Sequence, residues 1–263
     1  MSSAEPVGSV AWRSDQERRI GVTKKGKLVV DLESGAVEHV TDTYREEVRV
    51  SQPPLDLGVL IDETGSMGPL SASVVTGVND YIEKQRSLTN ARLTLVLFDG
   101  DRFDVRCRAQ GTSVVLPLSM ADYLPLGMTN LYDATANLIK LMEQQQRPGA
   151  NVMISILTDG LENASKEYTR GTIKDLIERK KRDGWTFAYM GAVDNPWDVA
   201  QSMGIPVTNT IHFSASPSGT AGAFNALSCS TANYATASAS GSASVPVGNV
   251  FGGLTDAEDQ APS

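Results

Sequence analysis

Three stretches of the sequence combine carboxylate and hydroxyl side chains in a way that could hold a hard metal ion. The first contains Asp62, Thr64 and Ser66, whose alternate positions allow one turn to aim three oxygens the same way. The second is Thr158-Asp159-Gly160, and the third is Gly127-Met128-Thr129-Asn130. Oxygen donors without histidine or cysteine suit a hard divalent cation, Mg²⁺ before Ca²⁺. Together the residue types predict a divalent-metal site, provided that the fold brings the three stretches together.

Each stretch taken alone is weak support for such a site. The Asp-x-Thr-x-Ser string at 62–66 is equally typical of a cap ahead of a helix, and Asp159-Gly160 alone is an ordinary turn. The combination is stronger because each stretch falls in a loop that the surrounding pattern predicts.

Alternating strands and helices after residue 54 are expected to position these loops. Continuous apolar runs predict buried strands at 57–61, 93–98, 152–157 and 185–190, with helically spaced apolar residues between them. Alternation over 103–108, after an Asp-Gly turn, predicts a half-exposed antiparallel strand at the sheet edge. The fold class is therefore α/β, with a doubly wound, mostly parallel central sheet and one antiparallel edge strand. Ligands bind such sheets at the carboxyl ends of the strands, where the three stretches lie.

Composition divides the chain into three parts. Residues 1–54 contain short β-prone runs separated by glycine and predict a small β-rich extension, too short to bury much core alone. Residues 55–236 form the main domain, and 237–263 form a low-complexity acidic tail. The net charge is −8, and no lysine or arginine follows Arg182. This distribution argues against nucleic-acid binding, which needs basic side chains.

The sequence lacks the motifs typical of secreted, membrane-spanning, disulfide-rich and nucleotide-binding proteins. The sequence shows no secretory signal and no apolar stretch long enough for a membrane helix, and its two cysteines are too few for a disulfide scaffold. We therefore expect a cytoplasmic protein with no membrane partner. Neither a Gly-x-Gly-x-x-Gly nor a Gly-x-x-x-x-Gly-Lys motif follows the first strand, which argues against a nucleotide site.

The same residues resemble the von Willebrand factor type A family, whose metal-ion-dependent adhesion site carries Asp-x-Ser-x-Ser, a Thr and an Asp on three loops. Here the pattern is Asp62-x-Thr64-x-Ser66, then Thr129, then Asp159, with threonine where serine is usual. The segments 61–67, 130–134 and 157–165 look like stand-alone prokaryotic and phage-encoded members. The resemblance covers about residues 55–234 and implies a Rossmann-like fold.

The resemblance also implies how the site works. Thr64 and Ser66 would coordinate Mg²⁺, or alternatively Mn²⁺ or Ca²⁺, directly, and Asp62, Thr129 and Asp159 would contribute directly or through water. A carboxylate from an Asp or Glu of a protein partner would fill a remaining coordination position. The leading hypothesis is therefore a metal-dependent protein-interaction module with no catalytic residues, not an enzyme.

Two alternatives remain open at the level of sequence. One is a Mg²⁺-dependent phosphohydrolase in which Asp62 acts at the same strand ends. The other is a structural virion or assembly component, associated with a phage particle, in which the metal is incidental. Two acids beside the predicted site, Glu63 and Glu162, are interpreted as solvated loop residues rather than as supports of the site. Asp133 is either a supporting acceptor or an acid that favours the start of its helix.

Overall fold

The structure, a computed structural model, divides into two units, residues 1–52 and 53–263. In the first unit it describes only four strands, which form two antiparallel pairs. Strand β1 (Arg18–Thr23) pairs with β4 (Arg45–Val50), and β2 (Val29–Val30) pairs with β3 (Val37–Glu38). In the second unit it describes residues 53–239, 249–254, 256 and 257. Most of the predicted acidic tail lies outside the described residues, and the predicted boundaries stay predictions.

A six-stranded sheet forms the centre of the second unit. Its strands are β5 (Leu55–Asp62), β6 (Ala91–Phe98), β7 (Phe103–Gly111), β8 (Asn151–Thr158), β9 (Thr186–Gly191) and β10 (Thr210–His212). The spatial order is β10-β9-β8-β5-β6-β7. All neighbours are parallel except β6 and β7, and β7 lies at the edge. The predicted fold class is thus confirmed, including the single antiparallel edge strand.

Helices cover both faces of this sheet, and four of them lie in the connections between its strands. They are α1 (Ser71–Gln85), α2 (Leu131–Gln145), α3 (Arg170–Arg182), α4 (Pro196–Ser202) and α5 (Pro217–Ala239). Alternate residues of β5 enter two separate cores: Val59 packs in the core that includes residues of α1 and α5, and Leu60 in the core that includes residues of α2 and α3. All eight residues of β5 are buried. None of the helices in the described part of the chain has the length and apolar character needed to span a bilayer.

A buried ion cluster holds the amino-terminal end of the sheet. Asp56, in the second position of β5, accepts hydrogen bonds from Arg92 Nε at 3.1 Å and Arg147 Nε at 3.0 Å. Arg147 also donates to the carbonyl oxygens of Leu55 and Asn90, at 2.8 and 2.9 Å. The cluster therefore ties β5 to β6 and to the segment that follows α2.

The opposite, carboxyl end of the sheet carries the polar loops. Strands β5 and β8 are parallel neighbours, and Leu57 of β5 pairs in register with Met153 of β8. Asp62 is the last residue of β5 and Thr158 the last of β8. Because the two strands end side by side, the loops that follow them meet at one edge.

Candidate metal centre

Asp62 anchors the site at the end of β5. Its side chain is fully buried, and both carboxylate oxygens are engaged. Oδ1 accepts a hydrogen bond from the backbone N–H of Thr64 at 2.8 Å, and Oδ2 accepts one from the hydroxyl of Thr158. The first bond closes the turn after β5, and the second joins β5 to β8. The turn therefore begins with a carboxylate whose position is fixed from both strands.

The hydroxyls of the same turn lie close to the carboxylate of the β8 loop. Ser66 Oγ donates to Asp159 Oδ1 at 2.7 Å and lies 3.2 Å from Thr64 Oγ1. Adjacent ligand oxygens of an octahedral Mg²⁺ lie about 2.9 Å apart, since each metal–oxygen distance is about 2.0–2.1 Å. The two separations lie on either side of this spacing, so Ser66 Oγ is close enough to each of the other two oxygens to share an ion with it.

Thr129 approaches the same cluster from the loop before α2. A Cβ atom built on Gly160 would lie 2.9 Å from Thr129 Oγ1 and 3.8 Å from Asp62 Oδ2, so the Thr129 hydroxyl and the Asp62 carboxylate both border this glycine. The amide of Asn163 fixes the threonine: Oδ1 of Asn163 accepts from Thr129 N at 2.9 Å, and Asn163 N donates to Thr129 O at 3.0 Å. A side chain at Gly160 would push this hydroxyl away.

The structure thus brings all five predicted site residues to one end of the sheet. Asp62, Thr64 and Thr129 are buried, Asp159 is half-buried and Ser66 is exposed. The side of the site that faces solvent is therefore formed by Ser66 and Asp159. That the five residues bind a metal stays a prediction.

The donor set fits a hard cation. Among the described residues, no group of three or more His, Cys, Asp or Glu side chains is placed to hold a metal. A metal here would consequently depend on two carboxylates and three hydroxyls, which is an all-oxygen set suited to Mg²⁺, Mn²⁺ or Ca²⁺. The residue types fit a hard divalent cation, and the choice of magnesium stays a prediction.

Electrostatics at the site also favour a cation. Burial raises the pKa of Asp62 from 3.8 to about 6, against the lowering effect of the hydrogen bonds from Thr158 and Thr64. Burial likewise raises the pKa of Asp159, against the hydrogen bond from Ser66. Both carboxylates are thus costly to ionise without a positive charge nearby. A bound metal would supply that charge and favour the ionised forms.

The interpretation of Glu63 as a solvated acid is wrong. Its side chain is buried and accepts a hydrogen bond from the backbone N–H of Leu124. Arg102 Nη2 lies 3.3 Å from Glu63 Oε2, and Arg102 Nε donates to Asp99 Oδ2 at 2.6 Å. Glu63 therefore holds the loop that follows β7 against the end of β5.

Glu162 and Asp133 order the loop on the other side of the site, so the solvated interpretation of Glu162 is wrong as well. Glu162 accepts from the N–H of Tyr132, in the first turn of α2, at 3.0 Å, and from Ser165 N and Oγ, both at 2.7 Å. Asp133 accepts from the backbone N–H groups of residues 166 and 168, at 2.6 and 2.7 Å. Of the two interpretations of Asp133, the supporting acceptor is the one that the contacts match.

Sequence reasoning missed Tyr123. Its side chain is buried, and its hydroxyl donates to the carbonyl oxygen of Asp62 at 2.6 Å. This bond ties the long 112–130 segment to the strand end that carries the first candidate ligand. The length of that segment, which has only two short 3₁₀ turns, was the one available signal, because long irregular loops in compact domains are usually functional.

No protein-family model matches the chain. The thrombospondin-related anonymous protein of Plasmodium berghei (strain Anka) is 26% identical over 155 residues, a match that covers 54% of this chain and 25% of that protein. The chain therefore matches about a quarter of the length of this curated relative.

Solved structures give the likeness in three dimensions. The vWF domain of the type V pili tip protein Mfa5 from Porphyromonas gingivalis is 11% identical, with a TM-score of 0.54 over 69% of this chain and 96% of that one. A von Willebrand factor type A structure from Catenulispora acidiphila is 14% identical, with a TM-score of 0.50 over 69% of this chain and 43% of that one. At such low identity the likeness concerns the fold. The chain has the von Willebrand factor type A fold, as the resemblance in its sequence predicted.

Proposed function

We propose that this chain is a divalent-metal-dependent protein-interaction module. A Mg²⁺ ion, or Mn²⁺ or Ca²⁺ in its place, would be held by the five site residues: Asp62, Thr64, Ser66, Thr129 and Asp159. A carboxylate of a partner protein would complete its coordination. The observation that carries the proposal is the meeting of the β5 and β8 loops, which places Ser66 Oγ 3.2 Å from Thr64 Oγ1 and 2.7 Å from Asp159 Oδ1.

The partner's carboxylate follows from the coordination chemistry. Five protein donors leave an octahedral ion one ligand short. The solvent-facing part of the site is formed by exposed Ser66 and half-buried Asp159, so a ligand from outside would arrive there. Three of the five donors are neutral hydroxyls, which leaves the ion a strong acceptor for an anionic oxygen. The similarity to a pilus tip protein and to the Plasmodium protein supports a role in contact between proteins.

The burial of Asp62 favours binding over hydrolysis. A phosphohydrolase that used Asp62 as nucleophile would need a free carboxylate oxygen facing its substrate. Here one oxygen accepts from Thr64 N, the other accepts from Thr158 Oγ1, and the side chain is fully buried, so Asp62 can support an ion from within the protein but does not face a substrate in solvent. We therefore propose a non-enzymatic role. A cytoplasmic or virion-associated location and a prokaryotic or phage origin stay predictions.

Titration of Mg²⁺ and Mn²⁺ into the full chain by calorimetry tests the proposal. We expect one binding site per chain, and we expect Asp62→Ala and Asp159→Ala to reduce the affinity at least tenfold, because each removes a donor from the same ion. Asp175→Ala, at an exposed position of α3, is the matched control and should bind like the wild type. Equal affinity in all four proteins would contradict the proposal.

A further inference from the structure

Exposed apolar side chains are concentrated in the segment that runs from the end of β7 to the loop that carries Thr129. Nine large hydrophobic residues are exposed in the described part of the chain, and six of them lie between residues 112 and 128. A seventh, Leu161, lies on the loop that carries Asp159. Scattered single apolar residues are normal on a protein surface, but a concentration at one place indicates an interaction site.

The segment that presents them is held in place. The Asn79 side chain donates to Leu118 O at 2.9 Å and accepts from Leu118 N at 2.8 Å. The guanidinium of Arg86 donates to Ser113 O at 2.6 Å, and the buried Tyr123 is fixed to β5. The apolar side chains therefore project from an ordered backbone, so a ligand need not first order the segment. Such preorganisation lowers the entropic cost of binding.

Three of these residues lie in the two loops that carry Thr129 and Asp159, and we name them the apolar rim: Leu126, Met128 and Leu161. They are 69%, 60% and 59% exposed. Leu126 and Met128 flank Gly127, whose carbonyl oxygen accepts from Gly65 N at 3.2 Å, and Leu126 N donates to Glu63 O at 3.0 Å. Leu161 follows Gly160, the residue that borders Thr129 and Asp62. The rim thus lies beside the polar centre on two of its loops.

Neither a purely polar nor a purely apolar ligand would satisfy this surface. An acidic ligand without apolar neighbours would leave the rim exposed to water. An apolar ligand without a carboxylate would cover Ser66 and Asp159 and deprive them of water without replacing its hydrogen bonds, which is costly. The ligand that satisfies both parts carries a carboxylate at its centre and apolar groups on either side.

We propose that the partner presents an extended segment in which an Asp or Glu stands between two apolar residues, with its carboxylate on the metal and its neighbours on the apolar rim. This inference rests on the proposed function and adds the sequence context of the partner's acid. It makes Leu126, Met128 and Leu161 the residues that select the ligand, separately from the residues that hold the ion.

Three blocked peptides test the inference: Ala-Leu-Glu-Leu-Ala, Ala-Ser-Glu-Ser-Ala and Ala-Leu-Gln-Leu-Ala. Binding to the full chain is measured by NMR titration in Mg²⁺ and in EDTA, since this method detects millimolar affinities. We expect the first peptide to bind at least tenfold more tightly than the other two in Mg²⁺, and to lose that advantage in EDTA. In the triple variant Leu126→Ser/Met128→Ser/Leu161→Ser, the first two peptides should bind alike.

Two controls separate the possible results. Val207→Ser changes an exposed apolar residue that precedes β10, at the opposite end of the sheet, and should bind like the wild type. Mg²⁺ titration should give the same affinity for the triple variant as for the wild type, which shows that the metal centre is intact. Equal, Mg²⁺-dependent binding of both glutamate peptides to the wild type would overturn the role of the rim and leave the proposed function standing.

Three other outcomes would contradict the inference as a whole, and two of them would also contradict the proposed function. If no peptide binds in Mg²⁺, or if the leucine peptides bind equally in EDTA, the proposed function fails together with the inference. If the wild type forms a dimer in sedimentation experiments that the triple variant does not form, with or without Mg²⁺, the rim is an interface between two copies and the inference is wrong.

Discussion

Replacing Asp62 with asparagine is expected to stabilise the metal-free protein at pH 7 and to abolish its stabilisation by Mg²⁺. The pKa of Asp62 is raised from 3.8 to about 6 by burial. Between these two values the folded chain binds more protons than the unfolded chain, so the contribution of this group to stability falls as pH rises. At pH 7 the full cost is present, about 3 kcal/mol for a shift of this size.

Urea unfolding in EDTA and in Mg²⁺, at pH 5 and pH 7, measures both effects. The asparagine can still accept from Thr64 N, and the Thr158 hydroxyl has a second acceptor in Gly160 O at 3.3 Å, so few hydrogen bonds are lost. We expect the wild type to lose stability from pH 5 to pH 7 in EDTA and to regain it with Mg²⁺. Asp62→Asn should show a smaller change with pH and no stabilisation by Mg²⁺. A variant that Mg²⁺ stabilises as much as the wild type would contradict the assignment of Asp62.

Replacing Asp56 with alanine is expected to lower the free energy of unfolding by about 3 kcal/mol. Removing one partner of a buried ion cluster costs about 3–5 kcal/mol, because the remaining charges lose their compensation. Asp56 is buried, whereas Arg92 and Arg147 keep about a quarter of their side-chain surface exposed, so water can hydrate them in part. The expected effect therefore lies at the lower end of that range.

Glu167→Ala is the matched control for this effect. Glu167 lies 3.9 Å from Lys140, and its side chain is 71% exposed, so its loss should cost less than about 1 kcal/mol. Folded Asp56→Ala should also bind Mg²⁺ with the affinity of the wild type. Asp56 is six residues from Asp62 along β5, or about 20 Å at roughly 3.3 Å per residue. An Asp56→Ala protein as stable as the control would show that the cluster is not structural.

The sheet and the site loops could be predicted because of where β5 and β8 lie. Both strands are covered on both faces, so their sequences are continuous apolar runs that end abruptly in polar residues. The end of each run marks the edge of the sheet, and Asp62 and Asp159 stand at those ends. This edge, with the rule that parallel strands share it, was enough to predict that Asp62 and Asp159 meet. Thr129, ahead of α2, and the roles of the five residues as ligands came from the family resemblance.

The supports of the site could not be predicted because their contacts join distant parts of the chain. Tyr123 reaches Asp62, which is 61 residues earlier, and Glu63 contacts Leu124 at the same separation. No local pattern marks such pairs. Glu63 looked like a loop acid because it follows a strand end, but the antiparallel turn after β6 brings Arg102 to it and makes its burial tolerable.

The exposure of the apolar rim could not be predicted from the sequence either. Leu126, Met128 and Leu161 would be assigned to the core by composition alone, since leucine and methionine are usually buried. The exposure of Leu126 and Met128 follows from the fixed course of the 112–128 segment, whose backbone is held by Asn79 of α1 and by Arg86, the residue after α1. Leu161 lies on the separate loop after β8. A surface feature of this kind becomes visible only when the fold is known.

The most direct test of the metal centre is a crystal structure of the full chain grown with Mn²⁺, using the anomalous signal of the metal to locate it. We expect one strong peak within about 2.0–2.3 Å of Thr64 Oγ1 and Ser66 Oγ, distances typical of hard-cation coordination. Asp62, Thr129 and Asp159 should bind the ion directly or through water. A Mn²⁺ peak elsewhere, or no peak between the β5 and β8 loops at saturating metal, would contradict this expectation.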